Sequence, residues 1–301
     1  MTTRWEGARR YMRRNGSGYL MMTPYLLIFA VFTVWPVLLS LLLSFTTYNV
    51  FEAPRFLGFD NYVDLFFRDQ VFLTALQNTF LISLIVGPVG YLLSLFLAWM
   101  VNEYKNPWKT LLTVVFYAPT LSNAVFTIWL IVFDGDIYGY LNSFLLGLGF
   151  ITEPIQWRTD PTYMMAVVIV VQLWVSLGTS FLTLRAGFNT VDRQYYEAAA
   201  LDGADGWKRT RYITLPMLHN VLCTCVVLAV TGALKVFDLP WVMFGAGMPE
   251  NLGWLTGTYM YDQTFNKSNV DYGSTIAVLI VVLGVVLSNV VNRVFRQSED
   301  I

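Results

Sequence analysis

Tyr195-Tyr196-Glu197-Ala198-Ala199-Ala200-Leu201-Asp202-Gly203-Ala204-Asp205-Gly206-Trp207-Lys208-Arg209, continuing to Ile213-Thr214-Leu215-Pro216, is a charged, alanine-rich island set between two apolar runs. Alanine is the strongest helix former and carries almost no side chain, so a helix starting near Asp192 can lie close against another protein surface. Gly203 can take the positive φ that ends such a helix. A second short helix can start near Asp205, and Pro216, whose missing N–H costs nothing in a first turn, opens the apolar run that follows. The stretch reads as a helix-turn-helix protrusion joined rigidly to the segments on either side.

Those flanking segments set the solvent. Of 301 residues, 56% are hydrophobic and 13% charged, against about 25% charged in soluble domains. A bilayer core of about 30 Å is crossed by about 20 apolar residues in a helix, the conformation that satisfies its own backbone where water cannot. Six stretches meet this requirement: 19–45, 72–100, 108–133, 162–186, 215–236 and 274–294. The first is too long and too far from the terminus for a cleavable signal peptide and is followed by no small-residue cleavage site, so it reads as a retained anchor. Pro24, Pro36, Pro88 and Pro119 fall within or near the ends of spans, where they predict kinks and not breaks.

Orientation follows from Lys and Arg, which are in excess on the cytoplasmic side. The N-terminus, the 101–109 turn, the 185–214 segment and the C-terminal tail together hold 14 of them, and the loops on the other side hold 4 (Arg55, Arg68, Arg158, Lys267). Lys235 lies inside the fifth span. The outer loops carry Asp60, Asp64, Asp134, Asp136, Asp160, Asp262 and Asp271 in aromatic, Gly- and Pro-containing turns. The expected architecture is an all-α integral membrane protein of six transmembrane helices with both termini cytoplasmic. It divides into a basic N-terminus (1–18), a first span (19–45), a core (72–294) containing the cytoplasmic segment 187–214, and a tail (295–301).

Composition also excludes. A formal net charge of -1 offers no field to hold nucleic acid. Cys223 and Cys225 sit one residue apart in an apolar run, where they read as small buried hydrophobes and not as a disulfide or zinc site. The single His219 removes H-E-x-x-H spacing and a Ser-His-Asp triad, and no metal site is expected. No G-x-x-x-x-G-K-[ST] is present, so the chain binds no ATP by that motif. A secondary transporter is disfavoured because no intramembrane Asp, Glu or His pair is available to carry a coupling proton and no inverted repeat is evident. An intramembrane enzyme lacks paired Asp, Ser-His or metal ligands within the spans.

The spacing Glu197-Ala198-Ala199, three residues, Gly203, nine residues, Ile213-x-Leu215-Pro216 resembles the signature of binding-protein-dependent ABC import permeases. Pro24-Tyr25-Leu26, Trp35-Pro36, Gly58-Phe59-Asp60-Asn61-Tyr62, Asn78-Thr79, Gly139-Tyr140-Leu141-Asn142 and Phe237-Asp238 extend the resemblance to carbohydrate-uptake permeases of the maltose and glycerol-phosphate types. One departure is visible: Phe244-Gly245-Ala246-Gly247-Met248-Pro249 stands where that group commonly has Thr-Gly-Gly-Pro. The resemblance implies a type I importer permease fold in a bacterial or archaeal cytoplasmic membrane. It implies as partners a second homologous permease, favoured as a heterodimer over a homodimer, two ATPase subunits carrying ATP and Mg, and an extracytoplasmic solute-binding protein. No cofactor is expected on this chain and no catalytic residue. Glu197, Ala198, Ala199, Leu201, Asp202, Gly203, Ala204 and Trp207 are then the coupling element that docks on an ATPase, and Gly203→Val is expected to abolish transport while leaving the protein in the membrane. The solute implied is a sugar, oligosaccharide or polyol, with glycerol phosphate or another non-sugar solute as the alternative.

A sugar crossing the bilayer needs hydrogen-bonding side chains and aromatic faces at mid-depth, without fixed charge. Span four offers Gln172, Trp174, Ser176 and Thr179, with Gln172, Ser176 and Thr179 on one face. They read equally well as interhelical hydrogen-bonding residues. Ala229, Thr231, Gly232 and Ala233 in span five leave room for solute or allow close packing, and packing is favoured there. Tyr117, Ser122 and Asn123 around Pro119 read as a hinge or as pore lining. Lys235, with Asp238 three residues on, reads as a snorkelling cation in an i, i+3 pair more readily than as a solute contact.

Overall fold

The computed structural model describes residues 16–104, 107–122, 125–245 and 248–296. The basic residues before 16, Lys105, Asn123, Ala246 with Gly247, and the tail from 297 lie outside the described residues. Among the described residues, five helices are long and apolar enough to cross a membrane: α1 (Gly16–Leu43), α3 (Gln70–Glu103), α7 (Pro161–Phe188), the pair α10 (His219–Leu234) and α11 (Asp238–Phe244), and α13 (Val270–Arg296). Shorter helices lie between them: α2 (Asp60–Phe67), α4 (Trp108–Tyr117), α5 (Phe126–Val132), α6 (Tyr140–Gly147), α8 (Arg193–Leu201), α9 (Gly206–Arg209) and α12 (Thr256–Tyr261).

The third expected span, 108–133, is not one helix. It runs as α4, a 3-10 turn over Ala118–Thr120, and α5 after an interval. Pro119 has no N–H to give and its ring opposes the preceding turn, so the helix tightens there and stops. The freed carbonyls are partly reclaimed locally: Thr120 Oγ1 donates to Tyr117 O at 2.7 Å and Leu121 N–H to Ala118 O at 3.1 Å. The expectation of kinks without breaks thus fails at Pro119. It holds at Pro24 and Pro88, which sit inside continuous α-helix. Pro36 and Pro216 share a third solution. Each follows a π turn, Ala30–Val34 and Thr210–Thr214, closed by the N–H of Trp35 onto Ala30 O and of Leu215 onto Thr210 O. Widening the turn before the proline relieves the clash without ending the helix.

The spans pack around α3, which runs against α7 and α10, while α13 meets α10 and the second half of α1. Otherwise α1 is exposed along its length. Gly178 of α7 receives the 3-10 turn of the broken span, and a Cβ there would lie 2.4 Å from Thr120 Cγ2. Buried side chains form three clusters. One, with Phe181, Leu184, Leu218 and Leu222, lies beside the 187–214 segment; a second, with Ile82, Val168, Val171 and Leu239, lies further along the spans; a third, with Leu65, Phe72, Tyr259 and Ile276, lies at the opposite face.

On that opposite face the loops are sewn together by buried polar side chains. A two-stranded antiparallel ladder, β1 (Thr46–Thr47) and β2 (Arg55–Phe56), forms the first loop. Asn61 Nδ2 donates to Ser44 O at 3.1 Å and Thr46 O at 2.9 Å. Asn78 Nδ2 donates to Leu252 O at 2.7 Å and Trp254 O at 3.0 Å, while Thr79 Oγ1 accepts from Thr256 N–H at 2.9 Å. Asn142, fully buried, donates to the carbonyls of Asp134, Asp136 and Ile155 and accepts from Ile155 N–H and Trp157 Nε1. Asp69 caps α3 through Phe72 N–H and accepts both the Tyr259 and Tyr272 hydroxyls at 2.7 Å. Burial and the Asp69 carboxylate push the Tyr259 phenol above its ordinary pKa, so it stays a donor.

Candidate functional site

The 187–214 segment folds as its sequence indicates. Asp192 accepts from Gln194 N–H at 3.0 Å and starts α8; Asp205 accepts from Lys208 N–H at 2.8 Å and starts α9. Between them Gly203 has φ +74°, with Ala204 N–H donating to Ala199 O at 2.9 Å and Gly203 N–H to Ala200 O at 3.2 Å. These are the paired bonds of a Schellman termination. From α9 the chain continues through the π turn, Leu215–Met217 and the single turn residue Leu218 into α10, so the protrusion leads directly into the fifth span.

Its two faces differ. Glu197, Ala198, Leu201, Asp202, Gly203 and Trp207 are exposed, Leu201 at 91% and Trp207 at 65%. Ala199 is buried and Ala204 half-buried, so these two lie toward the body of the protrusion. Glu197 Oε1 pairs with Arg193 Nε at 3.0 Å, an exposed i, i+4 pair of small energetic weight. Sequence reasoning missed the clamp beneath. Trp99 Nε1 donates to Thr210 Oγ1 at 3.1 Å, Tyr196 and Thr214 hydroxyls meet at 2.9 Å, and Arg209 Nε donates to Ala204 O at 3.1 Å. The signal available was the aromatic Tyr196 one helical turn before Ala200, facing inward.

A cavity of about 370 Å³ lies among α3, α7, α10 and the Pro119 turn. Gln172, Ser176 and Thr179 line it, joined by Thr120 and Ser180, which sequence reasoning did not single out. Ala229, Gly232 and Ala233 form the facing wall, and a Cβ on Gly232 would meet open space. In this chain span five therefore leaves room at this depth, against the packing reading; the small side chains are spent on volume. Among the described residues, no charged residue lines the cavity.

Trp174, Tyr117 and Lys235 fall elsewhere. Trp174 points into an aromatic cluster, its ring 5.3 Å from Trp129 in edge contact, because that face of α7 meets α5. Tyr117 does not line the cavity; its carbonyl serves the Thr120 hydroxyl. Asn123 lies outside the described residues. Lys235 and Asp238 do not share a helix, since α10 ends at Leu234 and α11 begins at Asp238, which removes the helical i, i+3 spacing. It lines a separate, apolar recess with Phe237, Tyr261 and Ile280.

The family described as binding-protein-dependent transport system inner membrane component matches residues 90–300. The lactose transport system permease protein LacF of Rhizobium radiobacter is 32% identical over 95% of this chain and 96% of its own length. The arabinooligosaccharides transport system permease protein AraP of Bacillus subtilis (strain 168) is 28% identical, covering 92% and 88%. Among solved structures, a bacterial ABC transporter involved in the import of the acidic polysaccharide alginate shares the fold at a TM-score of 0.81, with 22% identity over 96% of this chain and 98% of that one. A fold common to nearly the full length, together with a matched family region that contains the protrusion and most of the cavity wall, makes the chain a member of the binding-protein-dependent transport system inner membrane component family.

Proposed function

We infer that this chain is a membrane-embedded permease subunit of an ATP-driven importer that moves a neutral carbohydrate by alternating access. The observation that supports the solute class is the cavity: polar hydroxyl and amide groups on one wall, small residues on the other, and no fixed charge among the described residues. Such a lining suits a hydroxylated solute and leaves an anion uncompensated. Glycerol phosphate, the runner-up, would need a cation at this depth, and Lys235 sits in a different recess. The names of LacF and AraP agree with a sugar or oligosaccharide.

The exposed edge of the protrusion, Glu197, Ala198, Leu201, Asp202, Gly203 and Trp207, docks on a partner ATPase that holds ATP and Mg, with Ala199 and Ala204 holding that edge in shape. The helical run from Gly206 to Met217, joined at the single turn residue Leu218 to α10, carries the displacement to Ala229, Gly232 and Ala233. One such subunit supplies half a pathway, so a second permease, favoured as a homologous but different chain, completes it, and an extracytoplasmic binding protein delivers solute. Both termini and the protrusion face the cytoplasm on the charge count.

The test is a solute screen on the reconstituted complex with its binding protein, reading ATPase stimulation. Stimulation by a neutral sugar and not by glycerol phosphate supports the assignment. Stimulation by no carbohydrate overturns the solute class.

A further inference from the structure

Among the described residues, two cations at the protrusion end of the spans form no ion pair. Lys109, in the first turn of α4, donates from Nζ to Asn102 Oδ1 at 2.9 Å. The Thr113 hydroxyl, one turn on, donates to Lys109 O at 2.6 Å and accepts from the Arg185 guanidinium of α7. That single hydroxyl fixes Arg185 within a turn of Lys109, close enough for the two charges to repel. Both side chains are partly buried, and Arg185 Nε is buried with no hydrogen-bond partner. The polar partners of the pair are neutral oxygens. Glu103 is the one carboxylate whose charge reaches Lys109, and it forms no ion pair with it.

Partly buried cations held apart by neutral acceptors are costly unless an anion completes them. Their setting says which anion. Trp108, adjacent in sequence, is 61% exposed, and Leu111, Val114 and Val115 continue an exposed apolar face along α4. An indole at a helix end beside an apolar face marks the membrane-water interface. Exposed protein-facing groups of the protrusion, Leu201 and Trp207, belong to other helices. We propose that Lys109 and Arg185 form a binding site for the phosphate of an anionic phospholipid in the leaflet on the protrusion side. Basic pockets between membrane helices on that side hold such headgroups. The bound lipid would brace α4, and through it the Pro119 break, against α7.

The test uses the complete transporter complex in nanodiscs of phosphatidylcholine with increasing phosphatidylglycerol, wild type against Lys109→Gln, Arg185→Gln and the double variant. Native mass spectrometry counts retained phosphatidylglycerol. Each variant is expected to need about fivefold more phosphatidylglycerol for half-saturation, with Lys109→Arg restoring the wild-type value. If Arg185→Gln does not assemble, Lys109→Gln alone decides. Equal retention by wild type and Lys109→Gln overturns the proposal. So does occupancy by inorganic phosphate in pure phosphatidylcholine at the affinity of the lipid, or a crosslink from Lys109 to an ATPase carboxylate in complexes that retain no such lipid.

Discussion

Gly203 tests the protrusion most sharply, because the structure separates backbone strain from steric clash there. Its φ is +74° and an added Cβ would meet nothing within 4 Å. Any loss on substitution is therefore conformational. An L residue in this region costs about 1–2 kcal/mol, asparagine less because its side chain tolerates the conformation, and a β-branched residue most. The two turn bonds, Ala204 N–H to Ala199 O and Gly203 N–H to Ala200 O, contribute about 1 kcal/mol each and are lost together if the turn opens. Gly203→Val is expected to depopulate the turn roughly 5–30-fold, while Gly203→Asn stays near wild type and Gly203→Ala falls between. The assay is solute uptake by cells expressing equal amounts of membrane-inserted variant, measured by immunoblot, alongside basal ATPase activity of the purified complex. Transport is expected to fall in the order Gly, Asn, Ala, Val. Normal uptake by Gly203→Val, or an asparagine variant as impaired as the valine one, refutes the reasoning.

Four further outcomes are expected. Gln172→Ala and Ser176→Ala remove hydrogen-bonding groups from the cavity and should raise the solute concentration for half-maximal uptake about five- to tenfold with little change in complex stability, read by transport kinetics and thermal unfolding. Gly178→Val places a side chain onto Thr120 and should separate α7 from the Pro119 turn, costing about 1–3 kcal/mol and lowering the unfolding temperature of the complex. Asn142→Ala strips five hydrogen bonds from a buried loop centre and should cost about 3 kcal/mol or more, visible as new protease cleavage between 133 and 160. Asp69→Ala leaves the Tyr259 and Tyr272 hydroxyls without their shared acceptor and should cost about 2–4 kcal/mol by thermal unfolding. The raised Tyr259 pKa adds a pH signature: the folded state favours the neutral phenol, so its contribution is full below pH 10 and is lost as pH rises through the folded value, an alkaline limb that Asp69→Ala should weaken.

How much of this was legible beforehand depended on whether the controlling physics was local. The protrusion was legible because Asp192, Gly203 and Asp205 act within three residues of themselves, through caps and a positive φ. Five of the six expected membrane spans were legible from length and apolarity alone, and the Gln172, Ser176 and Thr179 face followed from helical spacing. Trp174 went wrong because an indole signals an aromatic environment without saying which face of α7 provides it; the answer lay in Trp129, far away in sequence. Pro119 went wrong because one proline symbol stands for three outcomes here, retained helix at Pro24 and Pro88, a π turn before Pro36 and Pro216, and a break. What selects among them is tertiary: Gly178 makes room for the broken turn. Asn61, Asn78 and Asn142 were noticed through resemblance, and their work as loop fasteners appears only when distant carbonyls are brought to them.

The π turns before Pro36 and Pro216 also set phase. Each inserts a residue beyond what an α-helical turn holds, which advances everything downstream by about 100° about the helix axis. Helical-wheel reasoning therefore cannot be carried from Trp207 to Gly232 without that correction and the turn at Leu218, and a one-residue deletion within Thr210–Thr214 would swing Ala229, Gly232 and Ala233 away from the cavity while leaving the protrusion intact. Protrusion and cavity wall are keyed to each other by a single surplus residue.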